Sequence, residues 1–178
     1  LIGYNIISEK KSQSNFDASA ALGQAMVALD RGDLENAQFQ LETVISEFSS
    51  SESAKIAGYH LGKMKYESGD KNGAEIYLSQ FLRDQPVDVM VSSAALMLAD
   101  ISLKGGNTQE AISFLDIGIK KSTDSHTRRI IKLEKAKLIL SQGDFERART
   151  ITDGILSNKD VTVIEKQVAE ELLGRIPG

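Results

Sequence analysis

The chain has 178 residues, of which 41% are apolar and 26% are charged, and this ordinary globular balance excludes disorder for its bulk. It contains no cysteine, which excludes a disulfide framework and a thiolate metal site. Its net charge of −4 at pH 7 argues against a polyanion as the main partner, so no nucleic-acid ligand is expected.

The chain opens on a mostly apolar segment of seven residues, followed by Lys10 and Lys11. This segment is too short to cross a membrane alone, because a spanning helix needs roughly 20 apolar residues. Residues 1–14 are therefore predicted to be a membrane-proximal tail or the end of an upstream membrane helix, with the lysines at the interface. The alternative is an amphipathic first helix that docks on the fold. Residues 15–178 are predicted to form the folded repeat domain.

A period of 37 residues organises that domain. Glycine recurs at this spacing and is followed each time by aspartate or asparagine, in the pairs Gly32-Asp33, Gly69-Asp70, Gly106-Asn107 and Gly143-Asp144. Glycine takes the left-handed conformation that ends a helix, and the next side chain caps the amides that open another. Each pair therefore predicts a turn between two helices.

The predicted helices pair into four hairpins. The first helices are predicted over 17–30, 53–68, 87–104 and 125–142, and the second helices over 34–48, 71–83, 108–120 and 145–156. Small residues are predicted to let paired helices approach closely at Ala25, Gly62, Ala99 and Ala136. One hairpin cannot bury its own apolar stripe, so the four are expected to stack as an all-α, right-handed superhelix.

A closing helix is predicted over 161–173 and caps the stack. Its apolar residues Ile164, Val168 and Leu172 are expected to cover the last hairpin. Its charged residues are expected to face solvent, and they are Glu165, Lys166, Glu170, Glu171 and Arg175.

The second hairpin carries a recognisable order of residues, namely Tyr59-His60-Leu61-Gly62, Tyr66, Gly69-Asp70, Ala74 and Pro86. This order resembles the tetratricopeptide repeat signature, and the other three hairpins match it more loosely. The resemblance covers about residues 15–175 and implies a scaffold that binds proteins or peptides. The period exceeds the family's usual value of about 34, so longer turns between hairpins are expected.

The whole layout is similar to the bacterial YfgM-like family, whose members carry one N-terminal membrane helix and a periplasmic repeat domain. This resemblance implies a tether to the bacterial inner membrane through an upstream helix and a domain that faces the periplasm. It also implies the Sec translocon and periplasmic chaperones as partners, and a role in handling exported proteins. A cytoplasmic location is the alternative.

A second resemblance is carried by the segment from Phe48 to Gly62, which is similar to the assembly lipoproteins typified by BamD. It implies a structural component of an envelope assembly complex that binds folded subunits. A third interpretation is a homodimer formed through the closing helix or the N-terminal tail.

Repeat scaffolds usually bind through the surface formed by successive first helices, and two apolar sets recur there at the 37-residue period. The sets are Leu22, Tyr59, Leu96 and Leu133, and Leu29, Tyr66, Leu103 and Leu140. Together with Met26 and Lys63 they are predicted to line a groove for a hydrophobic peptide. The alternative is that the leucines pack between hairpins. The tyrosines are favoured as binding residues, because an amphipathic ring suits a half-exposed groove.

Positive charge is concentrated between Gly118 and Arg149, where nine lysines and arginines accompany four acids. The predicted basic patch consists of Lys120, Lys121, Arg128, Arg129, Lys132, Lys135 and Lys137. We interpret it either as a site for an acidic partner tail or anionic lipid headgroups, or as a solvated helix face.

No arrangement of residues in the sequence indicates catalysis, a cofactor or a metal. His60 and His126 lie in different hairpins, with no serine, cysteine or carboxylate order typical of a triad. The segment Gly105-Gly106-Asn107 lacks the flanking glycine and lysine of a phosphate loop. A non-enzymatic scaffold without a cofactor is therefore expected.

Overall fold

The computed structural model describes residues 2–84 and 88–177, and all regular structure in them is α-helical. The helices are α1 Ile2–Asp30, α2 Leu34–Glu47, α3 Glu52–Glu67, α4 Lys71–Arg83, α5 Asp88–Lys104, α6 Thr108–Lys121, α7 Ser125–Ser141, α8 Phe145–Leu156 and α9 Val163–Gly174. The predicted all-α fold of four helix hairpins with a closing helix is confirmed. Pro86 of the predicted signature lies outside the described residues.

The first helix is longer than predicted, because it begins at Ile2 instead of residue 17 and has 29 residues. No proline interrupts this stretch, so nothing ends the helix before the first repeat begins. The side chains from Lys11 to Asp17 are exposed, and Ala18 is fully buried. The boundary predicted at residue 14 therefore lies within a continuous helix. In the part of the chain that the structure describes, no helix has the length and apolar content needed to cross a membrane.

All four hairpins turn at the predicted glycines. Gly32, Gly69, Gly106 and Gly143 have φ between 74° and 84°, in the left-handed region. The side chain after each glycine accepts a hydrogen bond from an amide at 2.9–3.4 Å, and these amides belong to Asn36, Gly73, Glu110 and Arg147. Each cap satisfies one of the free amides at the start of a second helix. The local chemistry therefore fixes where each hairpin turns.

The chain divides into two compact units, Leu1–Pro86 and Val87–Gly178. In the first unit, α3 packs against α1, α2 and α4. Its core includes the fully buried residues Ala25, Leu41, Val44, Ala57 and Leu61. Gly62 permits the close approach of α3 and α4, because a Cβ there would lie 2.8 Å from Cγ of Leu78.

The second unit contains α5 to α9. One core cluster joins α5, α6 and α7 through Ala99, Ala111, Leu115 and Ile131. A second cluster joins α7, α8 and α9, and it includes Leu133, Leu140, Ile155, Ala169 and Leu172. The closing helix therefore supplies part of the core of this unit.

The closing helix presents a different face to the core from the one predicted. Ile164 is 75% exposed, whereas Glu165 is 3% exposed. The Glu165 carboxylate accepts hydrogen bonds from Nε of Arg129 at 2.9 Å and from the amide of Thr162 at 2.7 Å. The prediction of an inward Ile164 and an exposed Glu165 is wrong, because the buried Arg129 guanidinium requires a counter-charge. Val168 and Leu172 do pack against the core as predicted.

Burial raises the pKa of the Glu165 carboxyl, but hydrogen bonds from Thr162 and Arg129 lower it by more than burial raises it. The pKa of Glu165 therefore lies below the ordinary value of 4.5. A carboxyl whose pKa is depressed on folding stabilises the fold above its unfolded pKa. That stabilisation is lost as the pH falls through the folded pKa.

We expect Gly69→Ala to lower the free energy of unfolding by about 1–2 kcal/mol, because a Cβ is unfavourable in the left-handed region. Urea denaturation followed by circular dichroism measures this change. The control is Gly154→Ala in α8, where a Cβ meets no atom within 4 Å. This control is expected to leave stability unchanged or to raise it. Equal effects of the two substitutions would contradict the expectation.

We expect Glu165→Gln to lower the free energy of unfolding of the second unit by about 3 kcal/mol at about pH 7, because Arg129 stays buried without a counter-charge. The difference from the wild type is expected to shrink as the pH falls through the lowered folded pKa of Glu165, where the wild type also loses the carboxylate. Urea unfolding at about pH 7, 5 and 3 measures it. Glu171→Gln, at an exposed position of α9, is the control. A difference that does not depend on pH would refute this account.

Candidate functional site

Tyr59, which the sequence analysis favoured as a binding residue, lies in the core of the first unit. Its side chain is 7% exposed, and its ring centroid lies 5.2 Å from that of Phe81 on α4. The expectation that this ring is half exposed is wrong, because Tyr59 fills the space between α3 and α4. Leu22 and Leu29 are also partly buried against the core. These three residues mainly pack the hairpins together, and a binding role for them stays a prediction.

Met26, Lys63 and Tyr66 keep accessible surface on the first helices of the first unit. Lys63 and Tyr66 are three residues apart and therefore share one face of α3. The Nζ atom of Lys63 lies 3.7 Å from a carboxylate oxygen of Glu67. Nearly half of the lysine side chain is exposed. Lys63 and Tyr66 offer a cation and an amphipathic ring to a partner. Met26, at the position of α1 equivalent to Lys63, offers a flexible thioether.

In the second unit, the predicted groove residues are mostly covered. Leu133 and Leu140 are 5% and 7% exposed, in the cluster to which α9 contributes Leu172. Leu96 is partly buried against the neighbouring cluster, and Leu103 is 41% exposed. Because α9 packs on α7, the leucines of α7 serve the core, which is the alternative that the sequence left open.

Arg129 does not belong to a solvent-facing basic patch. Its side chain is buried, its Nε atom donates to Glu165, and its Nη2 atom donates to the carbonyl of Asp160 at 3.0 Å. His126 Nδ1 lies 3.0 Å from the same Glu165 oxygen. The arginine is therefore corrected from a patch residue to one that holds the closing helix against α7.

Some of the other basic residues of the predicted patch have hydrogen-bond or ion-pair partners within the chain, and others are exposed to solvent. Arg128 donates to the carbonyls of Ser122 and Thr123 at 2.9 Å, and Lys121 is partly buried. Lys135 pairs with Asp116 at 2.5 Å, and Lys137 pairs with Glu134 at 2.6 Å. Lys120 and Lys132 are exposed. Lys120, Lys132 and Lys137 are thus the exposed residues of the predicted patch, and binding of an anionic partner stays a prediction.

The Arg129–Glu165 pair is the buried polar feature that the sequence analysis missed. A signal for it was present, because Thr162 and Glu165 have the spacing of a capping box. The structure contains this box, in which each side chain accepts a hydrogen bond from the backbone of the other residue. A glutamate in a capping box bends back toward the start of its helix and is therefore poorly placed to face solvent.

Among the side chains that the structure describes, the titratable groups do not assemble into a recognisable catalytic site. Burial lowers the pKa of His60, and the neighbouring charge of Lys63 lowers it further. The His60 ring packs edge-on against Tyr59. Within residues 2–84 and 88–177, no cluster of three metal-ligating side chains occurs. These histidines are accounted for by their packing and by the Glu165 contact.

Helix hairpins at a 37-residue period, with accessible side chains on the first helices, define a helical-repeat interaction scaffold, which is typically non-enzymatic. Residues 3–85 match the family model described as a tetratricopeptide repeat-like domain. This match supports a tetratricopeptide-type repeat protein, and such domains generally bind proteins or peptides.

The solved structures that are similar to this chain include the following two. A tetratricopeptide repeat protein from Parabacteroides merdae has a TM-score of 0.67 at 16% identity, over 91% of this chain and 61% of its own. PilF from Pseudomonas aeruginosa has a TM-score of 0.52 at 16% identity, over 91% of this chain and 85% of its own. These likenesses show the fold alone. No curated protein matches the chain in sequence.

We expect Tyr59→Ala and Tyr66→Ala to separate a core tyrosine from a surface tyrosine. Loss of the buried Tyr59 ring leaves a cavity beside Phe81 and is expected to cost about 3 kcal/mol of unfolding free energy. Loss of the partly exposed Tyr66 ring is expected to cost less than about 1 kcal/mol. Urea denaturation of both variants measures this, and equal costs would show that burial does not separate the two roles.

Proposed function

We propose that this chain is a membrane-tethered interaction scaffold that handles exported or translocon-associated proteins, as its resemblance to the YfgM-like family implies. The observation that carries the proposal is that Met26, Lys63 and Tyr66, on the first helices of the first unit, keep accessible surface. Unfolded exported chains expose apolar segments. A methionine and a tyrosine on a rigid helical frame suit such segments, because they adapt to many apolar side chains.

The tether is the second part of the proposal, with the domain on the periplasmic face of a bacterial inner membrane. The mostly apolar first seven residues support the tether. The periplasmic side rests on the resemblance to the YfgM-like family alone, because the positive-inside rule places Lys10 and Lys11 on the cytoplasmic side. The α1 helix runs without a break from Ile2 to Asp30. A tether at its N-terminal end would thus be mechanically continuous with the first hairpin. A cytoplasmic location is the alternative.

A second candidate function is a structural component of an envelope assembly complex that binds folded subunits. It is favoured by Val163 and Ile164, which are 84% and 75% exposed at the start of the closing helix. Two adjacent large apolar side chains at this exposure suit a protein interface. The same pair would serve a homodimer.

We expect the double substitution Met26→Ser and Tyr66→Ala to weaken binding of a fluorescent apolar peptide by roughly tenfold, because two contact side chains are lost. Fluorescence anisotropy measures the affinity, and circular dichroism checks that helicity is kept. The double substitution Val163→Ser and Ile164→Ser is the matched control on α9. If the α9 variant weakened capture while the first pair of substitutions did not, the scaffold for exported chains would be rejected. Loss of a complex or dimer in light scattering of the α9 variant would support the second candidate.

The tether is tested on the native protein in its own cells. We expect the protein in the membrane fraction, resistant to salt extraction and accessible to protease added to spheroplasts. Recovery in the soluble cytoplasmic fraction would reject both the tether and the periplasmic location. The peptide experiment is independent of this result.

A further inference from the structure

Two hollows in the first unit lie beside α3, on the side that faces α2 and α4. They do not include Lys63 and Tyr66, which lie on the first-helix face described above. One has a volume of about 310 Å³ and lies between α2 and α4, above Ala54 and Gly58 of α3. The other has a volume of about 270 Å³ and lies between the start of α2 and the end of α3, beside Met64 and Lys65. We call these two hollows the outer furrow. Their floor residues Gly58 and Lys65 share one face of α3, which differs from the face of Lys63 and Tyr66.

Gly58 opens the floor of the furrow. A Cβ built at this glycine meets no atom within 4 Å, whereas one at Gly62 would lie 2.8 Å from Leu78. Packing between helices therefore explains Gly62 but does not explain Gly58. Glycine inside a helix costs roughly 0.5–1 kcal/mol relative to alanine. At Gly58 the absence of a side chain leaves a space above α3 that a side chain of a partner can fill.

The second helices beside the furrow expose large apolar side chains. Leu34 on α2 lines the second hollow and is 58% exposed, and Ile76 on α4 lines the first hollow and is 66% exposed. A single exposed apolar residue is ordinary, but one in the lining of each hollow suits a docking surface.

The charge on α2 restricts what can bind. This helix contains Glu35, Glu42 and Glu47 and no lysine or arginine. Of the cations that line the two hollows, Lys55 pairs with Glu52 at 2.6 Å, Lys65 lies 3.8 Å from a carboxylate oxygen of Asp70, and Arg83 of α4 donates to the side chain of Gln80 at 2.7 Å. The first 86 residues hold eight basic and twelve acidic residues, a net charge of −4. The α2 side of the furrow therefore attracts cations and repels an anionic membrane surface.

We propose that the outer furrow binds a basic amphipathic helix of a partner protein. Apolar side chains of that helix enter the two hollows, while its lysines or arginines face the acids of α2. Gly58 and Lys65 are seven residues apart, which is about 10 Å along α3 and equals the spacing of positions i and i+7 on a ligand helix. A helix fits because ridges of side chains pack into the cleft between neighbouring helices. This site goes beyond the proposed function, since it lies on another face and commits to the chemistry of the ligand.

The probe is a synthetic fluorescent helix of about 18 residues, with leucines at i, i+4, i+7 and i+11 and lysines along one flank. A second peptide has glutamate in place of every lysine. We expect the lysine peptide to bind at least about tenfold more tightly than the glutamate peptide, with a difference that shrinks as salt is added. Equal affinities for the two peptides would overturn the charge assignment. Preferential binding to anionic vesicles instead of the lysine peptide would overturn the choice of a protein partner.

Gly58→Leu tests the hollow itself. It is expected to weaken the lysine peptide by about tenfold or more, because the added side chain occupies the space above α3. Helicity and thermal stability are expected to stay unchanged or to rise, since the position is open. The matched control is Gly23→Leu on α1, another helical glycine whose Cβ meets no atom within 4 Å. The same affinity in both variants would overturn the proposal.

The acids are tested by Glu35→Gln combined with Glu42→Gln, which is expected to remove most of the preference for the lysine peptide. Glu146→Gln is the control, because Glu146 occupies the position equivalent to Glu35 in the fourth hairpin. The Met26→Ser and Tyr66→Ala variant is expected to bind the lysine peptide normally. A loss there, without a loss in Gly58→Leu, would assign the peptide to the first-helix face and would reject the furrow.

Discussion

The fold depends on one constraint, which is that a single helix hairpin has more apolar surface than it can bury. In the first unit, Leu41 of the first hairpin and Leu61 of the second reach full burial in one shared cluster. In the second unit, the last hairpin achieves the same by packing against α9. Within each unit, stability therefore comes from contacts that a hairpin makes with its neighbour or with the closing helix, and the surfaces that remain open are set by where this packing leaves helices uncovered.

The sequence predicted the turns correctly because a turn is a local event. The conformation of Gly69 and the cap of Asp70 depend on residues within a few positions, so the 37-residue period marks every hairpin. The errors concern residues whose surroundings are set by distant parts of the chain. Tyr59 lies against Phe81 and Glu165 against Arg129, and neither contact follows from hydrophobic periodicity. For residues 1–14 the sequence analysis offered a tail, the end of an upstream helix or an amphipathic helix, but it did not predict that a helix there continues without a break into the first repeat, because helices can extend beyond the repeat that they serve.

The two units use the same repeat positions for different purposes. The furrow residues Ala54 and Gly58 are small, whereas the positions 74 residues later hold Arg128 and Lys132. Arg128 donates hydrogen bonds to the carbonyls of the turn before α7, and Lys132 is exposed. A space that is open and apolar beside acids in one unit is thus matched by basic side chains in the other. Equivalent backbone positions in a repeat protein can therefore carry opposite chemistry while the hairpin geometry is kept.

The first helix also determines how far the first unit stands from whatever is held at its N-terminal end. Ala18 is fully buried in the unit, and sixteen helical residues precede it from Ile2 to Asp17. At about 1.5 Å per residue they form a rod of about 24 Å. A flexible linker of the same number of residues would permit a range of distances between its two ends, but a helix fixes that distance. Under the proposed tether, this segment would set the distance between the anchor and the first unit. Inserting or deleting residues in it would change that distance by about 1.5 Å per residue and rotate the attached unit by about 100° per residue.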